Sequence, residues 1–230
     1  TATISGRRKL AEWLISPWID KKEIKKRQEA IKRLGQIPDW RLRFLATGKL
    51  FEETAVLCHE IKSWSEMELE LRDSSAVKWL IRILPVFTLV SIIPAVTGIS
   101  NVFLLLMVFV QLILMYFFWK RINLFFQFFG RKSDLLGKYI DLLDFIEKSD
   151  FDAVYLNELK DKITKPESAT KIFGQLKILV KEFEYRQNIL VGFFLNVVFL
   201  WDIRCVYKLW IWHKRNHKKL AVWLDVIAEM

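Results

Sequence analysis

The chain has 230 residues, of which 53% are hydrophobic and 27% charged, and its formal net charge is +10. This length allows one large or two small domains. The positive balance excludes neither nucleic acid nor an anionic membrane surface as a partner, because both present phosphates. The two cysteines, Cys58 and Cys205, lack the CxxC spacing, which argues against a disulfide framework and predicts reduced thiols packed as small apolar side chains.

Helical periodicity without alternating polar and apolar runs predicts an all-α protein. A first helix is predicted from Gly6 to Pro17, with a buried stripe of Leu10, Trp13 and Leu14. A second helix is predicted to begin after Asp20, whose spacing to Glu23 is typical of a capping box, and to end at Gly35. Pro38 opens a third helix. A further helical stretch is expected through Ile61, Trp64 and Leu71.

Residues 83–119 contain no Asp, Glu, Lys or Arg. This run exceeds the roughly 20 residues that one membrane-spanning helix requires, so it predicts a tight helical hairpin. The arms are predicted at residues 79–96 and 102–119, with a break at Pro94, Gly98 and Asn101. Cations flank both ends and none lies at the turn, which favours two cytoplasmic ends; they are Lys78, Arg82, Lys120 and Arg121. The alternative is a helical hairpin buried inside a large soluble core.

Three parts of the chain follow from this interpretation. Residues 1–76 form the first half of a helical core, residues 77–121 the inserted hairpin and residues 122–230 the second half. The second arm is expected to continue to a stop at Gly130, and further helices are predicted at residues 135–146 and 151–163, with Ser168 capping the next one. The apolar run from Ile189 to Trp201 is too short for a span and is predicted to be a buried core helix.

A basic stripe is predicted near the C-terminus. Four cations fall within about 60° of one another on a continuous helix, with Tyr207 and Trp212 as interfacial aromatics; they are Arg204, Lys208, Arg215 and Lys219. Such a stripe can neutralise nucleic-acid phosphates, lie along anionic lipid headgroups, or be an ordinary solvated helix face. These three alternatives remain open at the level of sequence.

No catalytic site is expected in this chain. The GxxxxGK(S/T) loop of nucleotide hydrolases is absent from the sequence, and no nucleophile–base constellation is evident. His213 and His217 have the spacing of two ligands on one helical face, but no Cys or acid joins them between Asp202 and Asp225. Because zinc sites use three or four protein ligands, we expect neither a metal site nor a cofactor here.

The N-terminal segment nevertheless carries a specific pattern over its first 28 residues. It resembles the core domain of the MutS DNA mismatch-repair family at Thr1, Thr3, Gly6, Arg8, Leu10, Trp13, Leu14, Pro17, Asp20, Arg27 and Gln28. Residues 188–205 look like the returning segment of membrane-embedded, MutS-related bacterial proteins. The matching residues have structural roles: Gly6 allows close packing, and Arg8 and Arg27 are expected to reach a carboxylate or a helix end.

The resemblance implies an all-α core whose lever helices carry a DNA clamp and return to an ATPase domain. That ATPase would follow Met230 and would bring ATP, Mg²⁺ and a homodimer interface to the parent protein. In this sequence the apolar hairpin stands where levers and clamp belong. We therefore expect a scaffold at a bacterial inner membrane, mostly on its cytoplasmic side, that couples an ATPase to DNA or to membrane lipid. The alternative is a membrane-anchored helical interaction module without DNA binding.

Overall fold

The computed structural model describes residues 1–17, 19–49, 75–130 and 132–230. Within these ranges all regular secondary structure is helical, with ten α-helices, one 3-10 turn and no strand. The prediction of an all-α protein is confirmed for this part of the chain. The stretch expected through Ile61, Trp64 and Leu71, together with Cys58, lies outside the described residues.

The first three helices are α1 (Ile4–Ile15), α2 (Lys21–Gly35) and α3 (Pro38–Lys49). Helix α1 begins two residues before the predicted start because Thr3 caps it, its hydroxyl accepting from the Gly6 amide at 3.0 Å. The Asp20 carboxylate caps α2 and accepts from the Lys22 amide at 2.8 Å. These oxygens satisfy amides that have no partner within the first turn of a helix.

Two long helices, α4 (Ser75–Val96) and α5 (Val102–Phe129), form the predicted hairpin. They have 22 and 28 residues, which corresponds to about 33 and 42 Å at 1.5 Å per residue. Gly98 in the turn has a φ of 74°, a left-handed conformation that glycine adopts without steric cost. The predicted break between the arms is confirmed, and α5 continues beyond the second arm to Gly130, as expected.

Five further helical elements complete the described chain: α6 (Ser133–Lys148), α7 (Val154–Thr164), α8 (Ala169–Glu184) with a following 3-10 turn (Tyr185–Gln187), α9 (Ile189–Phe199) and α10 (Trp201–Glu229). Ser168 precedes α8, and its hydroxyl accepts from the Lys171 amide at 3.2 Å, as predicted. Leu200 has a left-handed φ of 51°. At this residue the chain bends by 82° between α9 and α10.

The chain divides into two compact units. The first, which we call the helical unit, comprises the described residues of Thr1–Met67, Lys132–Lys177 and Arg215–Met230. The second, which we call the hairpin unit, comprises those of Glu68–Arg131 and Ile178–Lys214. Helices α8 and α10 contribute residues to both units. Each unit has its own apolar core and is described separately.

In the helical unit an aromatic cluster joins α3 to α6 and to the start of α7. The Trp40 ring lies 5.1 Å from Phe44, 5.4 Å from Phe145 and 5.5 Å from Phe151, measured between ring centroids. Its indole N–H donates to the Ser149 hydroxyl at 2.6 Å. Buried tryptophans usually satisfy this N–H, so the ring adds both apolar contact and a fixed orientation. In the hairpin unit the buried side chains include Ile122, Phe125, Phe129, Val180, Phe183 and Leu209.

Candidate functional site

The outward face of the hairpin is apolar along its length. Helices α4 and α5 are each long and apolar enough to cross a membrane, and only 22% and 6% of their most apolar windows are buried within the protein. The exposed side chains include Phe87, Val90, Ile93, Phe103, Leu106 and Phe109. Soluble monomers rarely expose an apolar surface of this extent. The soluble-core alternative required a buried hairpin, and the described residues do not bury it.

Polar side chains between the helices are buried instead. Gln111 of α5 and Thr88 of α4 are almost completely buried, and their polar atoms lie 2.5 Å apart. The Gln111 amide is fully satisfied when its oxygen accepts from Thr88 and its nitrogen donates to the Asn196 carbonyl of α9, at 3.2 Å. In an apolar environment such bonds specify which helix faces meet. One amide side chain thus ties α4, α5 and α9 together.

Helix α9 is where the sequence-based prediction of a buried core helix is wrong. Ile189 and Leu190 are 83% and 82% exposed, and Phe193 and Phe194 are also exposed. The helix buries Gly192 and Asn196 instead. The short apolar run is thus packed against the hairpin through small and polar residues, while the large apolar side chains of its first half are exposed.

A buried ion pair lies where α9 begins and ends. The Arg186 guanidinium, in the 3-10 turn before α9, is 3.3 Å from the Asp202 carboxylate in the first turn of α10. Asp202 is only 1% exposed, and its Oδ1 and the Arg186 Nη1 have no hydrogen-bond partner. The guanidinium also lies 4.7 Å from the Phe126 ring. Because buried charges need partners, this pair holds the two ends of α9 together.

A basic groove opens beside this bend, within the hairpin unit. It has a volume of about 670 Å³ and is lined by cations from two helices, Lys78 and Arg82 of α4 and Arg204 and Lys208 of α10. The remaining lining residues are largely apolar: Ile81, Pro85, Val86, Leu89, Phe199, Tyr207 and Ile211. No acidic residue in the described part of the chain lines the groove. The arrangement combines a cationic end with an apolar wall.

The four cations of the predicted basic stripe are divided between the two units. Arg204 and Lys208 belong to the hairpin unit, whereas Arg215 and Lys219 belong to the helical unit. Lys208 pairs with Glu182 at 2.6 Å, and Lys219 pairs with Glu167 at 3.6 Å. Among the described residues, Arg204 and Arg215 have no carboxylate partner. Half of the stripe therefore serves in ion pairs.

Two side chains near the stripe differ from the sequence-based expectation. Trp212 was predicted to be an interfacial aromatic, but it is buried because it lies on the packed face of α10. Tyr207 is partly exposed and lines the groove, which agrees with its predicted place at an interface. His213 is buried and His217 is partly exposed. No group of three His, Cys, Asp or Glu side chains in the described ranges comes close enough to hold a metal ion.

The N-terminal motif meets the last turns of α10 inside the helical unit. A Cβ on Gly6 would lie 3.3 Å from the Ala228 carbonyl oxygen, so the two helices approach closely at this glycine. Arg27 lies 3.8 Å from the Glu229 carboxylate and stacks 4.5 Å above the Trp13 ring. Arg8 pairs with Glu12 at 3.4 Å. Arg27 therefore reaches a carboxylate of another helix, whereas Arg8 forms only an exposed pair within α1.

The predicted buried stripe of α1 is wrong. Leu14 is 76% exposed, Leu10 is also exposed, and Trp13 is partly exposed. Gly6 is the buried residue of this helix. The helix packs through its N-terminal glycine and through Lys9, so its apolar stripe faces away from the core. Of the other motif residues, Thr3 is buried, while Thr1, Pro17, Asp20 and Gln28 are exposed.

Titratable groups around Glu229 are perturbed by their neighbours. Burial, reinforced by the negative charge of Glu229, raises the pKa of Tyr155, whose hydroxyl donates to that carboxylate at 3.0 Å. Partial burial lowers the pKa of Lys9, but the hydrogen bonds and negative charges of Asp225 and Glu229 together outweigh it, so the pKa is raised overall. Both shifts favour the protonated side chains, which join α1, α7 and α10.

The residues that most define the hairpin unit were not singled out from the sequence. They are Thr88, Gln111, Arg186, Asn196 and Asp202. Thr88 and Gln111 do carry a signal, because a polar residue inside an apolar span usually faces another helix. The sequence has no comparable signal for the pairing of Arg186 with Asp202. Comparisons of the chain with protein-family models, with curated proteins and with solved structures found no match.

Proposed function

We propose that this chain is a membrane-anchored helical scaffold in which α4 and α5 cross the bilayer as a hairpin. The supporting observation is the exposed apolar surface of both helices, whose polar residues are turned inward. The hydrocarbon core of a bilayer is about 30 Å thick, which α4 matches and α5 exceeds. The helical unit is then the part of the molecule outside the membrane.

The sidedness of this scaffold follows from charge. Lys78 and Arg82 lie at the start of α4, and Lys120 and Arg121 lie near the end of the apolar part of α5. No cation lies in the turn at residues 97–101. Because cationic ends stay in the cytoplasm, we propose that the helical unit lies on the cytoplasmic side of a bacterial inner membrane.

Single cysteines test this topology in a Cys58→Ser, Cys205→Ser background. Ser100→Cys, in the turn, should be labelled on intact cells by a membrane-impermeant thiol reagent. Ser133→Cys, beyond the other end of α5, should be protected until the cells are opened. Carbonate should leave the protein in the membrane fraction. Complete extraction by carbonate, or labelling of both cysteines on intact cells, contradicts the anchor or its sidedness.

A second candidate function keeps the resemblance to the MutS family. The supporting observation is that Gly6 and Arg27 of the motif contact the last turn of α10, next to Met230. In this proposal the helical unit is a core that couples an ATPase domain following α10 to DNA or to the membrane, in a homodimer formed through that ATPase. ATP and Mg²⁺ would be bound there and not in this chain.

The gene decides this second candidate. The reading frame downstream of the Met230 codon should encode a GxxxxGK(S/T) loop within about 200 residues, on the strand-to-helix turn that such loops require. A stop codon close to Met230 contradicts the coupling role. The chain would then be the alternative that we infer from the fold alone, a membrane-anchored helical interaction module.

A further inference from the structure

The basic groove collects cationic side chains from two helices. Four cations line it, and Lys208 pairs with the Glu182 carboxylate. Arg82 and Arg204 have no carboxylate partner among the described residues. Like charges brought together in one concave site repel each other unless an anion occupies it. The groove therefore has the charge of an anion-binding site.

The apolar wall restricts the kind of anion. Pro85, Val86 and Leu89 lie on α4 beyond Arg82, so the wall extends about 10 Å deeper along the helix axis than the arginine. Val86 and Leu89 are 58% and 45% exposed. A phosphate alone leaves this wall exposed to water. A nucleic-acid backbone has no apolar part to cover the wall and would place further phosphates against it. An anion that carries an alkyl chain matches both ends of the groove.

The position of the groove fits the same ligand. Lys78 and Arg82 lie at the charged end of the hairpin, where the headgroups of one leaflet meet α4. Tyr207 lines the groove at this level, and tyrosine is enriched where membranes meet water. The volume of about 670 Å³ is in the range of sites for small molecules. It accommodates a headgroup and the upper part of one chain.

We propose that this groove binds an anionic phospholipid, with its phosphate between Arg82 and Arg204 and an acyl chain along Pro85, Val86 and Leu89. The proposal rests on the membrane anchoring proposed above, because only then is the groove level with the headgroups. The groove is then a specific lipid site and differs from a surface that attracts phosphates only through its overall charge.

Thermal unfolding of the full chain in a neutral detergent tests the site. Phosphatidylglycerol and phosphatidylcholine with identical chains are titrated separately, and the shift in Tm is measured. We expect phosphatidylglycerol to stabilise the protein and phosphatidylcholine to have little effect. Glycerol 3-phosphate at the same concentration should also have little effect, because it lacks the chain that covers the apolar wall.

Two double variants make the test specific. Arg82→Gln/Arg204→Gln should weaken binding and so raise the half-saturating concentration of phosphatidylglycerol about tenfold or more. Lys120→Gln/Arg121→Gln removes the same charge from α5, outside the groove, and should leave the half-saturating concentration within about twofold. Circular dichroism of both variants before titration should show unchanged helicity. If the groove variant does not fold, Arg204→Lys, which retains the charge but not the bidentate geometry, should still weaken binding.

Several results would overturn the site. Equal weakening by both double variants would show attraction by overall charge, and an equal shift with glycerol 3-phosphate would show a site for free phosphate. No preference for phosphatidylglycerol in the wild-type protein would also overturn it. Carbonate extraction of the same wild-type membranes separates the two proposals, because a protein that resists extraction but shows no lipid preference loses only this site.

Discussion

Of the side-chain contacts described above, the buried pair of Arg186 and Asp202 is the one whose disruption is expected to destabilise the protein most. Its carboxylate is almost inaccessible to water, and the guanidinium is satisfied partly by the rings of Phe126 and Phe183 at 4.7 and 5.5 Å. Removal of one partner of such a pair usually costs more than removal of both. The two residues are therefore best examined together.

We expect Arg186→Gln to lower the free energy of unfolding by about 3 kcal/mol, because it leaves the Asp202 carboxylate buried without its cation. The double variant Arg186→Gln/Asp202→Asn should recover part of this loss. Reversible unfolding in mixed micelles measures both. Arg8→Gln is the control, because its partner Glu12 is 59% exposed and such pairs contribute about 0–1 kcal/mol. Equal effects of Arg186→Gln and Arg8→Gln would contradict the pair's role.

The two tryptophans Trp13 and Trp223 should respond differently to truncation. Trp223 is 2% exposed and lies 5.7 Å from the Phe173 ring, so Trp223→Ala should cost about 3–5 kcal/mol. Trp13 is partly exposed and loses mainly its stacking with Arg27, so Trp13→Ala should cost only about 1–2 kcal/mol. Thermal unfolding of the two variants compares them directly. The reverse order would show that α1 is packed more deeply than described.

Residue-level burial was the least predictable property of this chain. The spacing of Leu10, Trp13 and Leu14 predicted a helix correctly but assigned its apolar stripe to the core, and the structure exposes two of the three. Spacing reveals that a helix has an apolar face, but not which partner covers it. Caps were more predictable, since Asp20 and Ser168 act on amides two or three residues away.

At the scale of single elements, Gly192 determines how α9 starts. A Cβ at this position would lie 3.0 Å from both the Arg186 Cα and its carbonyl oxygen, which are backbone atoms of the preceding turn. We expect Gly192→Ala to destabilise the hairpin unit by about 1–3 kcal/mol, since the turn must shift to make room. Thermal unfolding in detergent measures this effect.

Gly174 of α8 provides the matched control. No atom lies within 4 Å of the Cβ that alanine would add there. Gly174→Ala should therefore be neutral or should stabilise the protein by about 0.5–1 kcal/mol, through the lower backbone entropy of alanine in a helix. A Gly192→Ala variant as stable as Gly174→Ala would show that α9 is not closely packed on the turn.

The elements themselves were largely predictable, and α9 shows where the prediction stopped. The uncharged run and its turn residues located both arms of the hairpin because length and charge act within the segment. The same length rule assigned residues 189–201 to a soluble core. That rule has no information about the partner, and the partner of α9 is the hairpin, which itself exposes an apolar surface. The groove was not predictable for the same reason, since it joins α4 to α10 across more than 100 residues.

For the molecule as a whole, the net charge of +10 predicts weak DNA binding that falls steeply with salt and shows no sequence preference. Simultaneous reversal of Lys208, Arg215 and Lys219 to Glu should abolish it. Reversal of Lys162, Lys171 and Lys181, which changes the net charge equally, should retain more binding. Fluorescence anisotropy with a short duplex at several salt concentrations measures both variants. Tight, mismatch-selective binding that the first variant leaves unchanged would contradict the basic stripe.

Helix α9 has a consequence for the shape of the membrane around the protein. Its 11 residues extend about 16 Å, close to the thickness of one leaflet's hydrocarbon layer. In the proposed anchor, the leaflet at the charged ends of the hairpin holds three helices, whereas the opposite leaflet holds two. A wedge of this kind favours membrane that is convex on the side of the charged ends of the hairpin. The protein should therefore float preferentially with small vesicles over large ones of identical composition.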